Sequence, residues 1–298
     1  MASGLSVDLS TTLGADEIGV LFAYFLLGVA TCQVYIYYSR FPDDSVKLKT
    51  LVAIVWLAEF GRIVCIGSGL FTYTIFNYGR PETVVGPLPK ALDIAILIGG
   101  IPIICVQGFF LFRIYAFSKR LLVPVFICVV TSMRCISGTA LMVTSLRMKS
   151  LVEFEVQWGW LFTAFWSFGV VSDVGLTVAL VALFLRQRPS GQKRTVALLD
   201  KLILWTLETG MLTSVTMISE VIFFHTMKNN FIWAAPFTLH TLLYSNSLLA
   251  SLNSRATLRA MNEVSLPSLH LTAALANGVQ LTPDTAGIME QSSKISQV

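Results

Sequence analysis

Seven apolar stretches, each long enough to cross a lipid bilayer, occupy almost all of the chain between Ile18 and Leu252. A spanning helix needs about 20 mostly apolar residues, because the hydrocarbon core is about 30 Å thick and each helical residue rises about 1.5 Å. Soluble domains carry about 25% charged residues, whereas this chain carries 13%. The sequence therefore predicts an all-α polytopic membrane protein with seven transmembrane helices: Ile18–Tyr38, Leu48–Leu70, Ala91–Phe112, Val123–Thr144, Trp158–Leu185, Leu202–Phe224 and Phe231–Leu252.

This pattern divides the chain into three regions: an N-terminal segment (residues 1–17), a transmembrane domain (residues 18–252) and a tail (residues 253–298). The tail has no aromatic residue, is rich in serine and threonine, and contains Pro267 and Pro283. Such a composition buries too little apolar surface to offset the entropy lost on ordering. We therefore expect a disordered tail, which is either inert or a site of phosphorylation.

Lysine and arginine residues lie unevenly on the two sides of the predicted spans. One set of alternate loops, together with the tail, holds fourteen of them, and the other set holds five. Cytoplasmic loops hold the excess of basic residues, so we expect an extracellular N-terminus and a cytoplasmic C-terminus, most simply in the plasma membrane. The basic loops and the tail are a candidate surface for a cytoplasmic partner. They are too dispersed to indicate nucleic-acid binding.

Ionisable residues inside the predicted spans carry the most informative chemistry. A charge at the centre of a spanning helix costs about 2.5–3.5 kcal/mol, so such residues normally face the bundle interior and find partners. Glu59 and Arg62 are three residues apart on one helical face, and we expect them to pair. The candidate functional residues are Glu59, Arg62, Arg134, Asp173, Glu208 and His240.

Arg134, Asp173 and Glu208 lie at comparable depths on three different predicted helices. We therefore expect them to line one polar cavity in the bundle core. Asp93 and Glu220 are further acids within the spans, so carboxyl groups outnumber arginines there. Buried acids of this kind build proton relays and cation sites. The alternative is that each acid hydrogen-bonds a neighbouring group and only fixes the register of its helix.

Two short segments suggest an internal repeat. The sequence WLAEFG at Trp56–Gly61 is echoed by WTLETG at Trp205–Gly210. If the echo is real, helices 1–3 and 5–7 are parallel repeats separated by helix 4, a plan related to the internal repeats of transporters. Local packing of tryptophan, glutamate and glycine is the alternative explanation.

Several strings resemble a known family, and they are QVYIYYSRFPDD at Gln33–Asp44, FNYGRP at Phe76–Pro81, SDVGLTVALVALFLRQRPSGQKRT at Ser172–Thr195, DKLILWTLETGMLTS at Asp200–Ser214, NNFIW at Asn229–Trp233 and YSNSLLASLNSR at Tyr244–Arg255. Together they resemble the seven-helix membrane proteins of basidiomycete fungi that carry domain of unknown function 6534. The similarity is most specific over about residues 173–256. The resemblance implies a fold, a topology and a fungal source, and it transfers no catalytic residues.

Known catalytic signatures do not appear in the sequence. The last predicted helix lacks the lysine that a retinal protein needs, and three histidines are too few for a seven-helix zinc hydrolase. The five cysteines fall within apolar stretches and are expected to be small buried hydrophobic residues rather than metal ligands. We therefore expect no enzyme activity, no catalytic residues, no metal and no cofactor.

Two classes of function suit the sequence best, and a purely structural or lipid-organising protein is a third alternative. The first is a sensor or receptor-like membrane protein that binds an unknown small ligand, which suits seven spans, an external N-terminus and basic inner loops. The second is a small-solute or proton-coupled transporter with an acidic intramembrane cavity. A cavity on one side of the bundle would favour the first class, and a cavity open to both sides in alternate states would favour the second.

Overall fold

A computed structural model of the chain describes residues 9–80, 83–84, 86–148, 150–186, 193–227 and 230–276. These residues confirm the predicted all-α fold. Helices are expected here, because in an apolar environment the backbone N–H and C=O groups must find their hydrogen-bond partners within the helix itself. A five-residue π-helix, Thr72–Phe76, extends the second helix. The described residues form seven α-helices, which are α1 (Leu9–Arg40), α2 (Val46–Phe71), α3 (Lys90–Ser118), α4 (Leu122–Ser145), α5 (Leu151–Arg186), α6 (Lys193–Thr226) and α7 (Ala234–Ala276).

Successive helices pack antiparallel. Tyr38, near the end of α1, donates a hydrogen bond of 2.8 Å to the backbone carbonyl of Lys49 in the first turn of α2. Ser145, the last residue of α4, donates a bond of 2.8 Å to Asp93 in the first turn of α3. We call the end of the bundle at which α1, α3, α5 and α7 begin the N-terminal end. At the opposite end α2, α4 and α6 begin.

Six of the described helices, α1 to α6, are long and apolar enough to cross a membrane. Their outer faces expose large apolar side chains, among them Phe25 (67%), Leu57 (59%) and Val178 (61%). Soluble proteins rarely expose apolar patches of this extent. The fold and its surface therefore indicate an integral membrane protein.

α7 differs from the seventh span predicted from the sequence. It does not meet the apolarity of the other six, and it begins at Ala234 rather than Phe231. Polar residues such as Thr241 and Ser245 lower the apolarity of α7. These two residues are buried, and Leu242 and Leu248 of the same helix are buried too. α7 is therefore a central helix that is covered by protein on several faces.

α7 also continues beyond the predicted end of the seventh span. The chain divides into two units, Met1–Asn253 and Ser254–Val298, and α7 extends through the boundary to Ala276. It thus enters the segment for which we expect disorder, where good helix formers such as Ala256, Leu258 and Met261 occur. Residues 277–298 lie outside the described part of the chain.

The cysteines are free, but they are less buried than the sequence analysis predicts. Cys32 and Cys128 are exposed, and Cys65, Cys105 and Cys135 are partly exposed. The prediction of burial is therefore wrong, because an apolar stretch in a membrane helix includes the face that contacts lipid as well as the face that contacts protein.

The close approach of α1 to α7 depends on Gly19. A Cβ atom at this position would lie 2.8 Å from the backbone Cα of Ala235. We expect Gly19→Ala to lower the free energy of unfolding by about 1–3 kcal/mol, because α1 and α7 must move apart. Thermal unfolding in detergent measures the effect. Gly28→Ala on the same helix is the matched control, since its Cβ would meet nothing within 4 Å, and equal melting temperatures for the two variants would contradict the packing described.

Candidate functional site

α7 brings together most of the buried polar residues of the bundle. Thr238, Thr241 and Ser245 follow the helical repeat on one face, which turns toward α2. His240 and Tyr244 lie on a neighbouring face, which turns toward α4, α5 and α6. Residues three and four apart share a face of a helix, so this one helix presents polar groups to four others.

Glu59 of α2 lies at the centre of the first polar cluster. Its carboxylate oxygen Oε2 is 3.8 Å from Arg62 Nη1, which confirms the predicted pair, and the two side chains are 1% and 4% exposed. Glu59 also accepts hydrogen bonds from Ser245 Oγ at 2.7 Å and from Thr241 Oγ1 at 3.2 Å. The carboxyl group therefore joins α2 to α7 as well as to its own helix.

Arg62 adds a second link between the same two helices. Its Nη1 donates to the backbone carbonyl of Thr238 at 3.0 Å, and its Nη2 donates to that of Phe237 at 3.3 Å. Gly99 of α3 makes room for the side chain, because a Cβ there would lie 3.2 Å from Arg62 Nε. Three helices thus meet around one guanidinium group.

Arg134 of α4 reaches a carboxyl group through a tyrosine. Its Nη1 donates to the Tyr244 hydroxyl at 2.8 Å, and the Tyr244 hydroxyl donates in turn to Asp173 Oδ2. The guanidinium carbon also lies over the rings of Phe165 and Tyr244, 5.1 and 5.3 Å from their centroids, a geometry that favours a cation–π interaction. The structure thus joins two of the predicted residues, Arg134 and Asp173, by way of α7.

Gln107 of α3 completes this second cluster. Its Nε2 donates to Asp173 Oδ1 at 3.2 Å and to Ser172 Oγ at 3.0 Å. Gln107 is buried, at 1% exposure. The cluster therefore joins α3, α4, α5 and α7. Gln107 and Tyr244 are uncharged members that the pattern of charged residues does not predict.

Glu220 of α6 and His240 of α7 form a third buried pair. Glu220 Oε1 lies 3.3 Å from His240 Nδ1, and the two side chains are 0% and 2% exposed. The geometry is not that of a hydrogen bond, and the Glu220 carboxylate has no hydrogen-bond partner among the described residues. The pair therefore keeps unused hydrogen-bonding capacity at the centre of the bundle, where unsatisfied polar groups are costly.

Glu208 does not join these clusters, which corrects our prediction. The structure places its side chain at the exposed surface of α6. Twelve residues separate it from Glu220, which corresponds to about 120° around a helix. Glu208 therefore faces away from the core into which Glu220 points, although it lies on the same helix.

The exposed position of Glu208 also argues against the predicted repeat. Its counterpart in the echo, Glu59, is completely buried and bonded to α7. Two residues that occupied equivalent places in parallel repeats would have similar surroundings. The residues that match between the two segments therefore do not have the same structural role.

A cavity of about 410 Å³ lies beside the first two clusters. Most of its lining is apolar, and Arg62, Arg134 and His240 supply polar groups to its wall. From these residues it extends toward the N-terminal end of the bundle, where Asp16 and Val84 line it. Ligand sites commonly combine a mostly apolar wall with a few convergent polar groups, so this cavity is the candidate binding site.

The half of the bundle toward the opposite end is packed with apolar side chains. One core cluster there consists of Ile114, Ile127, Leu176, Leu180 and Phe184. Arg113 stacks over the Phe184 ring, 5.2 Å from its centroid, and donates a hydrogen bond of 3.1 Å to Ser251 of α7. The cavity is thus confined to one half of the bundle.

Among the residues that the structure describes, no group of three or more His, Cys, Asp or Glu side chains could hold a metal ion. The polar side chains at the cavity are instead suited to hydrogen bonding and charge pairing.

A family model matches residues 169–257 of the chain, and its description is a family of unknown function (DUF6534). The matched segment includes the second half of α5, α6 and the first part of α7, and therefore Asp173, Glu220, His240 and Tyr244. Neither the curated proteins nor the solved structures contain a match to the chain. The matched segment thus supplies most of the second and third polar clusters.

Proposed function

We propose that the chain is a seven-helix membrane sensor that binds a small, largely apolar molecule in the cavity. The observation that carries the proposal is the confinement of the cavity to the N-terminal half of the bundle, with an apolar core across the other half. A transporter must open its site to both sides in turn. A sensor needs only one entrance and a network that responds to the occupant.

The polar clusters supply such a network. Arg62 and Arg134 contribute both to the cavity wall and to bonds with α7. A ligand that displaced either guanidinium group would therefore change the contacts of α7 with α2 or α4. A ligand shifts a conformational equilibrium only by its difference in affinity for the two states, and contacts to these arginines provide such a difference.

The proposal includes a topology and a setting. The excess of basic residues in alternate loops supports an external N-terminus and a cytoplasmic C-terminus, with α7 as the seventh spanning helix. The cavity would then face the outside of the cell. The plasma membrane is the expected location, a basidiomycete fungus the expected source, and the basic loops and tail the expected contact for a cytoplasmic partner.

The alternative function, a proton-coupled transporter, is favoured by the Glu220–His240 pair. Two buried ionisable groups that lie 3.3 Å apart without a hydrogen bond between them are the kind of site that relays protons through membrane proteins. In this alternative Glu220 accepts a proton from one side of the membrane and releases it to the other.

A proton-flux assay separates the two functions. The purified protein is reconstituted in liposomes that contain a pH-sensitive dye, and a pH gradient is applied. We expect the wild type and Glu220→Gln to take up protons no faster than protein-free liposomes, because a sensor has no path across the bundle. Glu208→Gln is the matched control, since Glu208 is exposed. Uptake by the wild type that Glu220→Gln abolishes and Glu208→Gln retains would contradict the sensor and establish the transporter.

A further inference from the structure

The wall of the cavity reaches the outer surface of the bundle between α3 and α4. Gly99 of α3 lines the cavity and faces Arg62 in the core. Ile101 and Ile104 line the same cavity, although they lie about 160° and 140° around the helix from Gly99. Both isoleucines are exposed on the bundle surface, at 42% and 55%. A single cavity that borders both the core side and the outer side of α3 must pass along the flank of that helix.

The gap between α3 and α4 is closed at both ends of the two helices. Lys119, in the short connection to α4, ends α3 with a left-handed backbone conformation. At the other end Ser145 is hydrogen-bonded to Asp93. Between these points Gly100 leaves open space, because a Cβ there would meet nothing within 4 Å. The opening is therefore a lateral window at the level of the hydrocarbon core, framed by Gly100 and, on α4, by Thr139.

The Arg134 side chain in the cavity wall has donors to spare. It is completely buried, and its Nε and Nη2 atoms have no hydrogen-bond partner among the described residues. Arginine binds carboxylates through two parallel N–H donors, and Nε with Nη2 forms one such edge of the guanidinium group. Side chains of the bundle cover both atoms, so a carboxyl head that moved this cover aside would satisfy them, while the apolar walls would hold its hydrocarbon body.

We propose that the cavity takes a single-chain apolar acid, of the fatty-acid class, which enters from the bilayer through the window between α3 and α4. The proposal rests on the proposed function of the cavity as a ligand site and names the class of ligand and its route. The apolar lining fits the chain, the window gives access from the hydrocarbon core, and the unused edge of Arg134 fits the head group.

Photo-crosslinking tests this proposal on the full chain in phosphatidylcholine nanodiscs. The probe is palmitic acid that carries a diazirine, and mass spectrometry maps the labelled peptides. We expect labelling of cavity-lining peptides of α3 and α4 that an excess of unlabelled palmitic acid removes. The corresponding diazirine alcohol should label these peptides at least about tenfold less, because its neutral hydroxyl cannot form the pair of charge-assisted hydrogen bonds that a carboxylate forms with arginine.

Two pairs of variants locate the route and the head-group contact. Gly100→Phe should block the window and reduce the saturable labelling, whereas Gly108→Phe should not, because Gly108 lies on the exposed side of α3 with nothing within 4 Å of its Cβ. Arg134→Lys keeps the charge but loses the paired donors, so we expect palmitic acid to compete about ten- to hundredfold less well. A melting temperature close to that of the wild type shows that this variant is folded.

Each remaining outcome overturns a defined part of the account. Saturable labelling that Gly100→Phe leaves unchanged would reject entry from the bilayer but retain a ligand site in the cavity. Equal labelling by the acid and the alcohol would reject the role of Arg134. Labelling that unlabelled palmitic acid does not reduce would reject the fatty-acid class, and the proton-flux assay would still test the proposed function separately.

Discussion

Replacing Arg62 with methionine is expected to lower the free energy of unfolding by about 3–5 kcal/mol, the cost of removing one partner from a buried ion pair. Arg62 is 3% exposed and lies 3.8 Å from Glu59. The substitution leaves the Glu59 carboxyl group buried without its cation, and it removes two bonds to backbone carbonyls of α7. The effect is large because one side chain bonds α2 to α7 and packs against α3.

Reversible unfolding in mixed micelles of dodecylmaltoside and SDS measures this loss. The double variant Glu59→Gln/Arg62→Met should recover much of it, because the amide oxygen of glutamine still accepts the bond from Ser245 and no charge remains unpaired. Arg120→Met is the control for arginine loss at an exposed position. If Arg62→Met unfolds at the same SDS fraction as Arg120→Met, the pair is not buried in the folded protein.

Replacing Tyr244 with phenylalanine is expected to cost about 3 kcal/mol, since hydrogen bonds to charged groups contribute about 1.5–3 kcal/mol each. Interhelical hydrogen bonds in a membrane protein average only about 0.6 kcal/mol. The Tyr244 hydroxyl should exceed that average because its two partners are a guanidinium and a carboxyl group, both completely or almost completely buried. Without the hydroxyl, neither Arg134 nor Asp173 keeps its link to the other.

The same unfolding measurement tests Tyr244→Phe. Tyr35→Phe is the matched control, because Tyr35 is 75% exposed on α1 and should lose almost no stability. We expect Asp173→Asn combined with Tyr244→Phe to lose less than the sum of the single changes, since residues in one network are not independent. Additive losses would show that Tyr244 does not bridge Arg134 and Asp173.

The helices can be predicted from the sequence, because the bilayer imposes a length and an apolar composition on any spanning segment. The first six predicted spans each lie within one helix of the structure. α7 was harder to delimit, because its buried position lets polar residues such as His240 and Ser245 replace apolar ones. A helix that is surrounded by protein does not need the composition of one that faces lipid.

Depth along a helix was a weaker guide to the site than angular position. The depth of Glu208 predicts a place in the core, but this residue lies on the surface, whereas Glu220 lies on the same face as the buried Thr213 and Met217. The spacing of these three residues, four and then three, follows the helical repeat. Attention to that spacing would have selected Glu220 from the sequence.

The partners of Arg134 and the cavity itself could not be read from the sequence. Tyr244 and Gln107 carry no charge at neutral pH, so the pattern of intramembrane charges does not reveal them. The cavity depends on how several helices are arranged, and its window depends on the absence of side chains at Gly100 and neighbouring positions. The spacing of apolar and polar residues along a single helix predicts neither the cavity nor the window.

The measurement that tests the central claim most directly is the orientation of the cavity end of the bundle. In a variant whose five cysteines are replaced by alanine, single cysteines are introduced at Glu153, near the start of α5, and at Asp43, between α1 and α2; both positions are exposed. A membrane-impermeant maleimide is then applied to intact cells. A sensor with an external site predicts labelling at position 153 without permeabilisation and at position 43 only after it. Labelling of position 43 but not position 153 in intact cells would turn the cavity toward the cytoplasm and contradict the account.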